Sequence, residues 1–73
     1  MLNYLYGKRS LKMPVIHVAM LEGRSRDQKA RLAKSITRAF VEIAKAPAEQ
    51  VTVIFTEHAK ESWAIGGKLL SDT

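Results

Sequence analysis

Cysteine is absent from the 73 residues, which excludes disulfides, thiolate metal sites and a cysteine nucleophile. Histidine occurs twice, at His17 and His58, too far apart in sequence to make a case for zinc, and no metal site is expected. No run approaches the roughly 20 apolar residues that span a bilayer, so no membrane partner is expected. The opening MLNYLYGKRSLK has its basic residues after a short apolar part, the reverse of a signal peptide. With no export signal and no cysteine, a cytoplasmic location is expected. A long basic face is also missing. Lys8, Arg9 and Lys12 supply three charges of the net +5 in a stretch without an acid, and from Met13 onward nine bases face seven acids. That is a mixed, solvated surface, and nucleic acid is not an expected partner. There is no internal repeat and no low-complexity tract.

What the chain does have is an ordinary apolar fraction, 47%, in a length that allows one small domain. A monomer this short buries only about 60% of its unfolded surface, which leaves stability marginal. Subunit contacts are the natural remedy, so an oligomer is expected. Residues 1–13 differ from the rest and are taken as an N-terminal extension, with the folded domain at 14–73. Leu2, Tyr4, Leu5 and Tyr6 precede Gly7 and the basic trio, and the two tyrosines and two leucines favour packing on a neighbour over exposure to water.

Pro14 opens a β-branched run. Proline tolerates the first position of a strand because it has no N–H to give the ladder. From Pro14 to Leu21 both alternating faces are apolar apart from His17, as in a strand covered on both sides. Glu22-Gly23-Arg24 makes the turn. Ser25 and Gln28 then have capping-box spacing, and Asp27 puts negative charge in the first turn of a helix. Leu32, Ile36, Phe40 and Ile43, with Ala33 and Ala44, form one apolar stripe at helical spacing; Arg26, Lys29, Arg31, Lys34, Arg38 and Glu42 lie largely off it. Pro47 biases Ala46 away from helical geometry, so the helix should stop near Lys45. Val51 to Thr56 is β-branched and aromatic, a second strand. Strand, helix and strand make a βαβ unit with parallel strands and a right-handed crossover. Glu57 to Ser62 is a polar connection, and Gly66-Gly67 between short apolar pairs is a turn in a small hairpin. The fold class is α+β: two parallel strands, one long helix and a short C-terminal hairpin.

Chemistry centres on Pro14. As a free N-terminus proline is a secondary amine, and burial in an apolar pocket or a nearby cation lowers its pKa. A base poised near the operating pH is what proton abstraction beside a carbonyl requires. Trp63 and Ile65 are candidates for the apolar wall and Arg24 for the cation. Arg24 stands one residue before the helix cap, where free N–H groups and the dipole favour an anion and its guanidinium adds a bidentate fork. The plainer alternative pairs Arg24 with Glu22 or with an acid on a neighbour. His17 and His58 are expected to be structural or solvated. Glu22 and Glu57 balance arginines, and Ser25 is a helix cap with no base beside it.

Pro14 opening the strand, Leu21-Glu22-Gly23-Arg24-Ser25, Asp27-Gln28-Lys29, Ala46-Pro47, Thr56-Glu57 and Ile65-Gly66-Gly67-Lys68 together resemble the 4-oxalocrotonate tautomerase family, without a gap from Pro14 to about Asp72. The resemblance implies a β-α-β subunit assembled as a homohexamer, a trimer of dimers. It implies cofactor-free proton transfer between dienol and keto forms of small unsaturated 2-oxo acids such as 2-hydroxymuconate. Pro14 would be the base that moves a proton from the 2-hydroxyl to the distal carbon. Arg24 of a neighbouring subunit would hold the far carboxylate, and the Leu21 amide would lie near the substrate hydroxyl. Trp63 falls where the family has a phenylalanine or tyrosine that keeps the pocket apolar, with Ile65 beside it. Thr52 stands where the best-known members carry a second arginine. Hydrogen bonds to charged groups contribute about 1.5–3 kcal/mol each, so weaker or broader activity is expected. The other departure is the extension. With residues 1–13 attached, the Pro14 nitrogen is a tertiary amide with no basic lone pair, and little or no proline-dependent activity is expected. Either the active chain starts at Pro14, through Met13 as initiator or by processing, or the protein is a non-catalytic oligomeric paralogue or partner subunit.

Overall fold

The computed structural model describes residues 13–73; the segment 1–12, with its expected packing on a neighbour, lies outside them. Strand β1 (Val15–Leu21) leads into helix α1 (Arg26–Ile43), and β2 (Thr52–His58) returns beside β1. The two strands are parallel, with Val15 opposite Thr52 and Leu21 opposite His58. The ladder runs one residue past each end: the Thr52 N–H donates to the Pro14 carbonyl at 3.0 Å, and the Glu22 N–H to the His58 carbonyl at 2.9 Å. Pro14 therefore begins the pairing by giving its acceptor, the one backbone group it can offer. A hairpin of β3 (Ala64–Ile65) and β4 (Lys68–Leu69) completes the α+β arrangement.

The helix starts as its sequence dictates. The Gln28 N–H donates to Ser25 Oγ at 3.1 Å and the Ser25 N–H to Gln28 Oε1 at 2.9 Å, the reciprocal pair of a capping box. Its last residue is Ile43, with Ala44 as cap. Lys45 then turns into the left-handed region at φ +60°, and the Ala46 N–H reaches back to the Phe40 carbonyl at 3.2 Å. Gly66 and Gly67 both have positive φ, 61° and 85°, which is what a two-residue hairpin turn of the favoured hand needs.

Alternation along the strands sorts their two faces. Ile16, Val18 and Met20 on β1, and Val53 and Phe55 on β2, are half-buried; these mark the side that α1 covers with Ala33, Ile36 and Phe40. An ion pair ties the same side together, Lys29 Nζ to Glu57 Oε2 at 2.9 Å. Lys29 thus lies toward the sheet and not on the solvated face expected of it, because its long stem spans the covered edge while its ammonium finds a carboxylate. Leu32 and Ile43, expected in the apolar stripe, are instead exposed at 40% and 82%. Strand β2 also runs through Glu57 and His58, taking the first residues of the expected connection, which continues as a short 3-10 turn at Lys60–Ser62.

The opposite face of the sheet is open. Val15 is 58% exposed and Ile54 40%, so the expected cover on both sides of β1 is not provided by the described residues. Among the described residues only Ala46 is fully inside, at 8% exposure. No helix among them is long and apolar enough to cross a membrane.

Candidate active site

The six residues singled out in the sequence fall into two groups at opposite ends of the parallel pair. Pro14 and Thr52 sit together where the strands begin, joined by the Thr52 N–H to Pro14 carbonyl bond. Leu21 and Arg24 lie where β1 ends, with Leu21 opposite His58 in register; Trp63 meets His58 at the same end, and Ile65 follows two residues later on β3. Seven steps of extended chain separate Pro14 from Leu21, about 23 Å at the usual rise of a parallel strand. A small acid cannot bridge that gap, so a single chain does not bring Pro14 and Arg24 around one molecule.

Pro14 is half-buried and lines a cleft of about 450 Å³ with Phe40, Ala44, Lys45, Ala46, Pro47 and Gln50. The end of α1 and the turn after it form most of this wall. The left-handed turn at Lys45 folds Ala46 and Pro47 back toward the strand start, and the Gln50 N–H bonds the Pro47 carbonyl at 3.0 Å. Gln50 Oε1 is buried and has no hydrogen-bond partner among the described residues. Sequence reasoning missed both Lys45 and Gln50. Ala46-Pro47 marked the end of the helix but carried no sign that the returning chain would wall in Pro14.

At the other end, Arg24 lines a more polar groove of about 340 Å³ with Gln28, Arg31, Leu32 and Ser35. The ion pairs among the described residues are Lys29 with Glu57 at 2.9 Å and Asp27 with Arg31 at 3.4 Å. Within the chain Arg24 is therefore not paired with Glu22, and its guanidinium is available to an anion from outside. Glu57 balances a lysine where an arginine was expected. Trp63 is half-buried and meets His58 edge-on, ring centres 5.8 Å apart at 75°, an arrangement that the indole quadrupole favours. This contact gives His58 a structural place at the end of β2. Ile65, an apolar side chain, is 66% exposed on the hairpin. His17 lies on the open face of the sheet, opposite Ile54. No cluster of three metal-ligating side chains occurs among the described residues.

Residues 14–73 are matched by known proteins. The family model described as "Tautomerase enzyme" matches residues 14–73. A probable tautomerase of Bacillus cereus is 47% identical over 60 residues, 82% of this chain and 98% of that protein. The 2-hydroxymuconate tautomerase of Bacillus subtilis is 42% identical over 60 residues, 82% of this chain and 97% of its own length. Among solved structures, YwhB, a homologue of 4-oxalocrotonate tautomerase, superposes with a TM-score of 0.79 at 40% identity, covering 82% of this chain and 98% of the other. A heterohexamer 4-oxalocrotonate tautomerase from Chloroflexus aurantiacus gives 0.77 at 33% identity, with 82% and 97% covered.

Proposed function

The chain belongs to the tautomerase enzyme family, and from that premise we propose that it is a cofactor-independent keto–enol isomerase of small unsaturated 2-oxo and 2-hydroxy acids, 2-hydroxymuconate among them. The observation that carries the reading is the two-ended layout: a half-buried proline at the head of β1 and, beyond its tail, an arginine without an acid partner among the described residues. Pro14 is the base and Arg24, from another chain, the anion holder. Two chains set side by side with opposed strands bring one head to the other's tail, so the active form is a homo-oligomer, a hexamer in the reading that the family suggests. The open sheet face and the exposed Ile65 are the surfaces such an assembly covers.

The proton balance is simple. The Pro14 amine takes the proton of the 2-hydroxyl, breaking O–H and forming N–H. The electron pair moves along the conjugated chain as the carbonyl forms. The ammonium then returns the proton to the distal carbon, breaking N–H and forming C–H, and substrate and product are isomers. Arg24 binds the far carboxylate and draws electron density toward that end as the charge develops. Leu21 contributes its backbone amide near the substrate oxygen. Trp63 and Ile65 exclude water, which keeps the amine neutral and strengthens the electrostatics inside. Thr52 offers a hydroxyl where a second guanidinium would grip a dicarboxylate, so binding is weaker and the substrate range broader.

The reading requires the Pro14 nitrogen to be an amine, which means a chain that begins at Pro14. Such a chain should ketonise 2-hydroxymuconate, followed by loss of dienol absorbance. Pro14→Ala should lose on the order of 10²-fold or more, the usual contribution of a positioned base. With residues 1–13 attached the rate should fall to a similar level. Equal turnover by the chain that begins at Pro14 and by its Pro14→Ala variant would remove proline from the mechanism.

A further inference from the structure

One residue lining the Pro14 cleft carries a polar atom without a partner among the described residues. Gln50 Oε1 is buried, and among the described residues it accepts no hydrogen bond. A buried acceptor without a donor costs about 1–3 kcal/mol, so such atoms call for an explanation. Gln50 closes the turn that leads into β2, two residues before Thr52, whose N–H is bonded to the Pro14 carbonyl. Val15 is opposite Thr52, and one further step along the parallel register brings Pro14 beside Val51, next to Gln50. Gln50 and Pro14 share the walls of the cleft. The nitrogen of Pro14, acylated by Met13, carries no hydrogen and can donate to nothing. Cut free, the same nitrogen becomes a secondary ammonium with two N–H donors.

We propose that the Gln50 carboxamide oxygen is the hydrogen-bond acceptor for the free Pro14 amine, making Gln50 a positioning residue that orients the base and holds its proton between the two halves of the transfer. The proposal rests on the reading of Pro14 as the base for its catalytic meaning, but the hydrogen bond itself does not need turnover to be detected. An acceptor bonded to the ammonium stabilises the charged form and so raises the amine pKa. The remaining titratable group lining the cleft, Lys45, acts in the opposite sense, since a neighbouring cation disfavours the ammonium. Phe40, Ala44, Ala46 and Pro47 complete the wall and carry no side-chain charge. Gln50 thus offsets Lys45 and the apolar wall.

The test uses the chain that begins at Pro14. Residues 14–73 match almost the whole length of the relatives described above, 97% and 98%, so this segment is a complete folding unit in them. With 15N-labelled proline, Pro14 is the one proline nitrogen that titrates, because Pro47 lies within the backbone, and its 15N shift against pH gives the amine pKa directly. Gln50→Met, which keeps the stem and removes the acceptor, should lower that pKa by roughly one unit. Gln50→Glu, which keeps an acceptor and adds negative charge, should raise it. The low-pH limb of kcat/KM for 2-hydroxymuconate should move with the 15N value in both variants. An unchanged 15N titration in both variants overturns the proposal, and so does a shift of the same sign in both. If the titration moves as stated while Pro14→Ala retains full turnover, the hydrogen bond stands and it is the assignment of Pro14 as base that falls. Should Gln50→Met fail to fold, the upward shift in Gln50→Glu decides alone.

Discussion

At the scale of single residues, the sharpest local strain is at Lys45, a non-glycine residue at φ +60°. The left-handed conformation costs a residue with a Cβ about 1–2 kcal/mol. Lys45→Gly should therefore raise stability by about 1 kcal/mol, less what the unfolded chain gains in freedom from a glycine. The urea midpoint at fixed protein concentration measures this, and a lower midpoint would mean that the lysine side chain contributes more than the strain removes. Single residues were also where the sequence was least legible. Lys29 read as solvated because its charge outweighs its stem in any pattern of hydropathy, yet it reaches Glu57 across the covered edge of the sheet. Arg24 was visible as a candidate anion site from its place before the helix cap. Gln50 was not visible at all. An unmet acceptor depends on which groups the fold brings near, and no local pattern encodes that.

Elements were far more legible, because their start and stop signals are local. Ser25 and Gln28 three apart announce the capping box that the structure contains, and Gly66-Gly67 announces a turn that needs positive φ twice. The strand pair followed from β-branched composition and from a crossover long enough to demand parallel strands. What the 3.6-residue period could not fix was the edge of the apolar stripe. It places Leu32, Ile36, Phe40 and Ile43 within one broad arc but does not say which side of the arc meets the sheet. The sheet took Ala33, Ile36 and Phe40 and left Leu32 and Ile43 outside. The cap gives the prediction at this scale. Ser25→Ala removes the oxygen that satisfies the Gln28 N–H and leaves the box only its other half, the backbone N–H of residue 25 to Gln28 Oε1, and should cost about 1 kcal/mol. Because Arg24 immediately precedes the cap, the same change should weaken substrate binding, read as a rise in KM larger than any fall in kcat. A KM that stays put while stability falls would separate the cap from the anion site.

For the whole molecule the decisive fact is how little the described residues bury. Among them a single alanine lies inside, and exposed Val15 and Ile54 on the sheet with exposed Ile43 and Ile65 describe half of a core. The sequence pointed the same way twice, once through its length and once through a first strand that is apolar on both faces. It could not show that the two groups of site residues lie a strand's length apart, since neighbours in function need not be neighbours in one chain. The proposed catalysis by Pro14 and Arg24 would therefore require a site built from two chains. Chains beginning at Pro14 and carrying Pro14→Ala can be dissociated, mixed with chains carrying Arg24→Ala, and allowed to reassemble, with 2-hydroxymuconate ketonisation followed before and after. Each parent alone should be nearly inactive, and the mixture should recover activity, because some sites then draw a proline from one chain and an arginine from the other. A mixture that reassembles and stays as inactive as its parents would contradict the shared site.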